Sequence, residues 1–154
     1  MRYLAVDLGD ARTGLAVGDA ITRIVSPLEV VECPTSLCGG EALLDLIAAA
    51  IDRAVSPRSA CELVVGLPLN MDDTEGPRAK IVRAFAAKLA ARTKRVVHFQ
   101  DERLTSSDAD WSMARSGMTH KQKKERRDAL AAAAILRDFL ARINPSGSEP
   151  TEEP

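Results

Sequence analysis

The chain predicts a single α/β domain built on a mixed five-stranded sheet flanked by helices, and three observations carry that reading. Two apolar strand-like runs near the start flank a Gly-Asp-Ala-Arg-Thr-Gly turn segment, residues 9–14. Two later short runs, 61–67 and 95–100, alternate with amphipathic helical patterns. The resulting order, three strands in an antiparallel meander and then helix, strand, helix, strand, helix, helix, can fill one sheet. Right-handed crossovers make the last two strands parallel to the first.

At 154 residues the chain is long enough for one core, because a domain of this size buries roughly 70% of the surface its unfolded chain exposes. Residues 1–143 form the domain. Residues 144–154, with three prolines, three acids, two serines and a glycine, read as a disordered acidic tail. Cys33, Cys38 and Cys61 are odd in number and show neither C-x-x-C spacing nor a matching histidine pair, which argues against a disulfide framework or a zinc site. They read as reduced, buried side chains. Charges break every apolar run well before the roughly 20 residues of a membrane span, and strand-like sequence follows Met1 in place of a signal peptide. The expected compartment is the cytoplasm, with no membrane partner.

In the first strand Leu4, Val6 and Leu8 fall on one face and Tyr3, Ala5 and Asp7 on the other, the pattern of a central strand covered on both sides. Asp7 is out of place there, since Asp is depleted in strands. Either the strand ends at Val6 and Asp7 opens the turn, or its charge is paired, hydrated or bound to a metal. Residues 21–32 read as a third strand interrupted at Ser26-Pro27. Leu43, Leu46, Ile47, Ala50, Ile51 and Ala54 recur three and four apart between Gly39-Gly40 and Ser56-Pro57, which describes an amphipathic helix. Cys61 to Leu67 is a buried strand ended by Pro68.

Residues 69–76 form a loop holding Asn70, Asp72, Asp73, Thr74 and Glu75, acids that suit helix capping. Pro77 then starts a helix that buries Ile81, Phe85 and Leu89. The strand 95–100 runs straight into Asp101-Glu102-Arg103, and Thr105 with Asp108 resembles a capping box for a helix bearing Ala109, Trp111, Met113 and Ala114. The acids of that triplet precede the cap, where they can point into a crevice. Residues 117–122 read as a loop and 125–143 as the last helix, with Ala132, Ile135, Phe139 and Ile143 on one stripe. One turn before Ala132 the stripe continues to Asp128, a carboxylate on the inward face.

The formal net charge is -1, yet Lys121, Lys123, Lys124, Arg126 and Arg127 stand against the single acid Glu125. Such a run is a solvated face or follows a phosphate backbone. If the first, fourth and fifth strands are parallel neighbours, Asp7 and Asp101-Glu102 meet at the carboxyl edge of the sheet, where open α/β sheets place ligands, and the last helix can bring Asp128 there. Clustered carboxylates repel unless cations bind, and hard oxygen donors suit Mg2+ or Mn2+. Two ions about 4 Å apart can activate water and stabilise the leaving oxygen of a phosphodiester. In that arrangement Asp7 bridges, Glu102 and Asp128 each hold one ion, and Asp101 stands nearby. Arg103, Lys123, Lys124, Arg126 and Arg127 hold the substrate backbone without reading bases, and Asn70 joins them from its loop.

Four ordered segments resemble the bacterial YqgF family: Asp7 in Asp-Leu-Gly-x-x-x-x-Gly-x-Ala, residues 65–72, residues 101–106, and Asp128-Ala129-Leu130-Ala131-Ala132. The resemblance covers nearly all of 1–140. It implies an RNase H-like fold of the Holliday-junction-resolvase type, a nuclease maturing the 5′ end of pre-16S ribosomal RNA, and Asp7, Glu102 and Asp128 as its acidic site. Asp73 departs from the family's usual Gly, which bears on loop geometry. Three alternatives stay open: resolution of branched DNA junctions, a non-catalytic module binding structured RNA or a pre-ribosomal particle, and ATP phosphoryl transfer. The last is disfavoured by a chain with room for one such domain and no second Gly-rich phosphate segment. The sequence accommodates a monomer or a homodimer.

Overall fold

The computed structural model describes residues 1–36, 40–56, 58–70, 72, 74–102 and 120–143, with the side chains of 120–126 outside that description. Cys38, Asp73, Arg103, the helix expected from Thr105 and the tail from 144 lie outside the described residues. Five strands form one sheet: β1 (Arg2–Leu8), β2 (Arg12–Asp19), β3 (Val25–Glu32), β4 (Cys61–Leu67) and β5 (Val97–Asp101). Their order across the sheet is β3-β2-β1-β4-β5. The meander is antiparallel, whereas β4 runs parallel to both β1 and β5, as the crossover rule requires. Among the described residues three helices cover it, α1 (Glu41–Ala54), α2 (Pro77–Thr93) and α3 (His120–Ile143).

The period-two alternation of β1 sorts the two cores. Leu4, Val6 and Leu8 join Leu15, Leu63 and Val65 beneath α1 and α2, while Tyr3 and Ala5 join Ala16, Val64 and the α3 residues Ala132, Ile135, Leu136 and Phe139 on the other face. Phe139 is 2% exposed. Its ring meets those of Tyr3 and His98 at centroid distances of 5.2 and 5.1 Å. Phe139→Ala is expected to cost about 3–5 kcal/mol, read from urea unfolding, because the cavity lies between a rigid sheet and a helix that cannot collapse into it.

Several boundaries differ from the sequence expectation. Residues 21–24 do not extend β3. The Asp19 carboxylate accepts the Ile21 and Thr22 N–H groups at 2.7 and 3.1 Å, closing a turn that leaves Ile21 82% exposed. Ser26 and Pro27 do not interrupt the strand, because β3 is an edge that tolerates a missing N–H, and the register shifts between Leu15 and Ala16 opposite it. Arg95 is not in β5; its guanidinium instead donates to the Ser59 and Cys61 carbonyls, each at 3.0 Å. In α2 the buried residues are Ala79, Val82, Phe85, Ala86 and Leu89, with Ile81 turned outward. Leu46 and Ile143 are likewise exposed. Helix α3 begins at His120, inside the expected loop. Cys33 and Cys61 are buried free thiols, as expected. Among the described residues no helix is long and apolar enough to cross a membrane.

Candidate active site

Asp7 lies within β1, so the strand does not end at Val6. It sits on the α3 face and pairs in register with Gly14 of β2. On its other side β4 presents Gly66, the residue after the Val6 partner Val65. Each glycine leaves space that the site uses. A Cβ at Gly14 would stand 2.0 Å from the Asp128 carbonyl oxygen, so the bare backbone is what lets α3 lie directly on β2. A Cβ at Gly66 would meet Ile135 Cδ1 at 2.6 Å and Glu102 Oε1 at 3.5 Å.

Glu102 follows β5 directly, and its N–H donates to the Leu67 carbonyl at 3.4 Å. This carries the β4–β5 pairing one residue past the strand and brings the carboxyl group to Asp7. Burial, then the charge of Glu102 and the hydrogen bond to it, then Asp128, push Asp7 up to about 8 against the opposing pull of Arg78. Burial raises Glu102 as well, helped by Asp101, while the Asp7 hydrogen bond and Arg78 lower it. Two carboxyls in contact do not both ionise. The pair therefore holds one proton at neutral pH, on Asp7, which donates it to Glu102.

Asp128 completes the acidic group from α3, with Arg12 Nε donating to its Oδ2 at 2.7 Å. Among the described residues no three His, Cys, Asp or Glu side chains stand together as a ready metal-binding group. Asp7 and Glu102 meet, whereas Asp128 is held on Arg12. The donor set nonetheless fits a hard dication. Its members are carboxylates only, Glu102 and Asp128 raise the proton affinity of Asp7, and a proton now holds together the two that touch, a role a divalent cation fills with more charge. Asp7, Glu102 and Asp128 are the residues that would hold it, with Asp101 acting on Glu102 through its charge.

Two arginines in this site were missed by the sequence reading. Arg12 is the base inside the β1–β2 turn. Arg78, the second residue of α2, donates from Nη2 to the Leu8 carbonyl at 2.8 Å and pairs through Nη1 with Asp10. A base in the first turn of a helix opposes the macrodipole, so its position after Pro77 was the available signal of a partner elsewhere. Thr35 pins the same turn, its hydroxyl donating to the Gly9 carbonyl at 2.6 Å. Asn70 closes its own loop, donating from Nδ2 to Thr74 Oγ1 at 2.9 Å. Neither Asp72 nor Glu75 caps α2: Asp72 accepts from the Thr74 hydroxyl at 2.6 Å and Glu75 from Arg83 at 2.7 and 2.6 Å. Arg127 is exposed, one residue before Asp128. Arg103 and the side chains of Lys123, Lys124 and Arg126 lie outside the described residues.

A family model described as RuvX, Holliday junction resolvase, matches residues 1–142. The chain belongs to the RuvX family. Among RuvX-like relatives, a protein of Anaeromyxobacter sp. (strain Fw109-5) is 44% identical over 140 residues, covering 91% of this chain and 96% of its own. One from Ruegeria pomeroyi is 36% identical over 138 residues, covering 90% and 84%. Both bear the name "Putative pre-16S rRNA nuclease". Among solved structures, Thermus thermophilus RuvC in complex with a Holliday junction substrate superposes with a TM-score of 0.51 at 16% identity, covering 94% of this chain and 96% of that one. That likeness establishes the RNase H-like fold, in agreement with the sheet order found here.

Proposed function

We propose that this RuvX-family chain is a metal-dependent endonuclease that hydrolyses phosphodiester bonds in maturing the 5′ end of pre-16S ribosomal RNA. The observation that carries the reading is the contact of the Asp7 and Glu102 carboxyls beside Asp128, a half-buried, all-carboxylate group at the carboxyl edge of a central parallel strand. Mg2+ or Mn2+ held by Asp7, Glu102 and Asp128 would supply a lowered pKa for the attacking water and charge stabilisation at the leaving oxygen. The chain's own residues do the rest. Gly14 and Gly66 keep the approach to Asp7 open, Arg78 and Thr35 hold the Gly9–Asp10 turn in place, and Arg12 holds Asp128 beside the pair. Arg127, Arg103, Lys123, Lys124 and Arg126 attract the RNA backbone, and Asn70 joins them from its loop. The names of the relatives support RNA as the substrate.

The family description favours a second reading, cleavage of four-way DNA junctions. Both are tested by incubating the protein with a precursor 16S 5′ fragment and, separately, with a four-way DNA junction, with Mn2+, Mg2+ or chelator. RNA cleavage that chelator abolishes is the expected result. Cleavage of the junction alone would transfer the function to recombination, and salt-dependent RNA binding with neither substrate cut would leave a binding module.

A further inference from the structure

Between residues 77 and 100 the chain carries seven Lys and Arg and no Asp or Glu, a longer one-sign stretch than the basic run at the start of α3. It forms α2 and the first four residues of the edge strand β5. On α2, Lys80, Arg83, Ala87 and Ala90 recur at spacings of three and four, which places them on one stripe, and Lys94 follows as the C-cap. Beside that stripe runs a groove of about 310 Å3 whose lining includes Arg83, Ala87, Ala90, Arg95, Val97 and Phe99. Its floor is apolar and its rims are basic. Arg83, paired with Glu75, lies over the Phe99 ring at 4.7 Å. Arg95 donates to the Ser56, Ser59 and Cys61 carbonyls, and neither it nor Lys94 forms an ion pair with a carboxylate among the described residues.

The groove lies on the α2 face of β5, the edge strand, where Val97 and Phe99 point, while Glu102, three residues past Phe99, meets Asp7 on the α3 face. The β5 edge separates the two, and the charge along the groove is complementary to a phosphodiester chain. An apolar floor with one aromatic ring suits base faces, and basic rims suit the backbone. A second copy of the chain would set two like-charged faces against each other, which is unfavourable. We propose that this groove binds a single-stranded RNA segment that crosses the β5 edge on leaving the acidic site, with bases on Val97 and the alanines beside the Arg83-covered Phe99 ring and phosphates on Lys80, Lys94 and Arg95. The proposal deepens the nuclease reading, on which it rests for its choice of RNA.

The test measures binding of a labelled 12-nucleotide oligouridine in chelator, where no cleavage occurs, by fluorescence anisotropy across a salt series. Ala87→Glu puts an acid in the middle of the groove on an exposed helical position and should weaken binding at least tenfold. Lys80→Gln combined with Lys94→Asn, the Asn suiting the left-handed backbone at that position, should flatten the dependence of log affinity on log salt by about 1.4, two charges at roughly 0.7 each. Leu46→Glu, on the exposed face of α1, should bind like wild type, and thermal melts confirm that each variant is folded. Oligouridine that fails to bind wild type, or binds Ala87→Glu with unchanged affinity and slope, overturns the proposal. So does an Ala87→Glu protein that changes only from dimer to monomer in sedimentation. The two readings fail separately: Asp7→Asn should bind the oligonucleotide normally, so binding without cleavage by wild type sinks the nuclease reading alone. Cleavage with no contribution from Ala87 sinks the groove alone.

Discussion

Asp7→Asn should abolish cation-dependent cleavage, by more than about a hundredfold, while making the metal-free protein more stable at neutral pH. The first effect follows from removing the central oxygen donor of the acidic group. The second follows from proton linkage. Asp7 is raised from an ordinary carboxylate value to about 8 by burial and by Glu102, so between pH 4 and pH 8 the folded chain binds a proton that the unfolded chain has released. Stability from this group is therefore fully present below pH 4 and is lost as pH rises through 8. At pH 7 the loss amounts to up to about 4 kcal/mol, about three pH units at 1.36 kcal/mol each. Asn keeps a hydrogen-bond donor toward Glu102 with no proton to lose. Urea unfolding in chelator from pH 5 to 8.5 should show wild type weakening with pH and Asp7→Asn staying nearly flat. Added Mn2+ should stabilise wild type and leave the variant unmoved, because a ligand stabilises only the state that binds it. Parallel pH profiles for the two proteins would contradict the shared-proton pair.

Gly14→Ala should damage both fold and function through a single methyl group. Its Cβ would lie 2.0 Å from the Asp128 carbonyl oxygen and 2.5 Å from its carbon, both backbone atoms. A helix backbone cannot swing aside as a side-chain end can, so α3 must lift off β2. The expected cost is about 3 kcal/mol or more, at the top of the usual range for overpacking, seen as a fall of roughly 6–12 °C in melting temperature. Asp128 moves with the helix, so cleavage should drop more than tenfold even at temperatures where the variant stays folded. Gly18→Ala is the matched comparison on the same strand. There the added Cβ meets Val25 Cγ2 at 2.9 Å and Leu136 Cδ2 at 3.0 Å, both side-chain ends, and its nearest backbone atom is the Ile24 carbonyl oxygen at 3.2 Å, so the expected cost is about 1 kcal/mol with activity retained. Equal penalties at the two positions would show that the close approach of α3 is not what Gly14 provides.

Much of this architecture follows from consecutive residues alone. The alternation in β1 placed Asp7 opposite the Leu4–Val6–Leu8 face, the three- and four-residue spacing in α3 placed Asp128 on the inward stripe, and the strand ending at Asp101 delivered Glu102 to the sheet edge. These are consequences of the periods 2.0 and 3.6, which local sequence carries in full. Tertiary structure decided what those residues do to one another: that Asp7 and Glu102 share a proton, that Arg12 holds Asp128, and that Arg78 reaches back from α2 to the Leu8 carbonyl. It also decided that Val82 and not Ile81 faces the core, and that Gly14 and Gly66 flank the central carboxylate. Each of these depends on the register and separation of elements far apart in the chain. Desolvation, proton affinity and close packing are set by distances of a few ångströms between such elements, and no local periodicity encodes those distances.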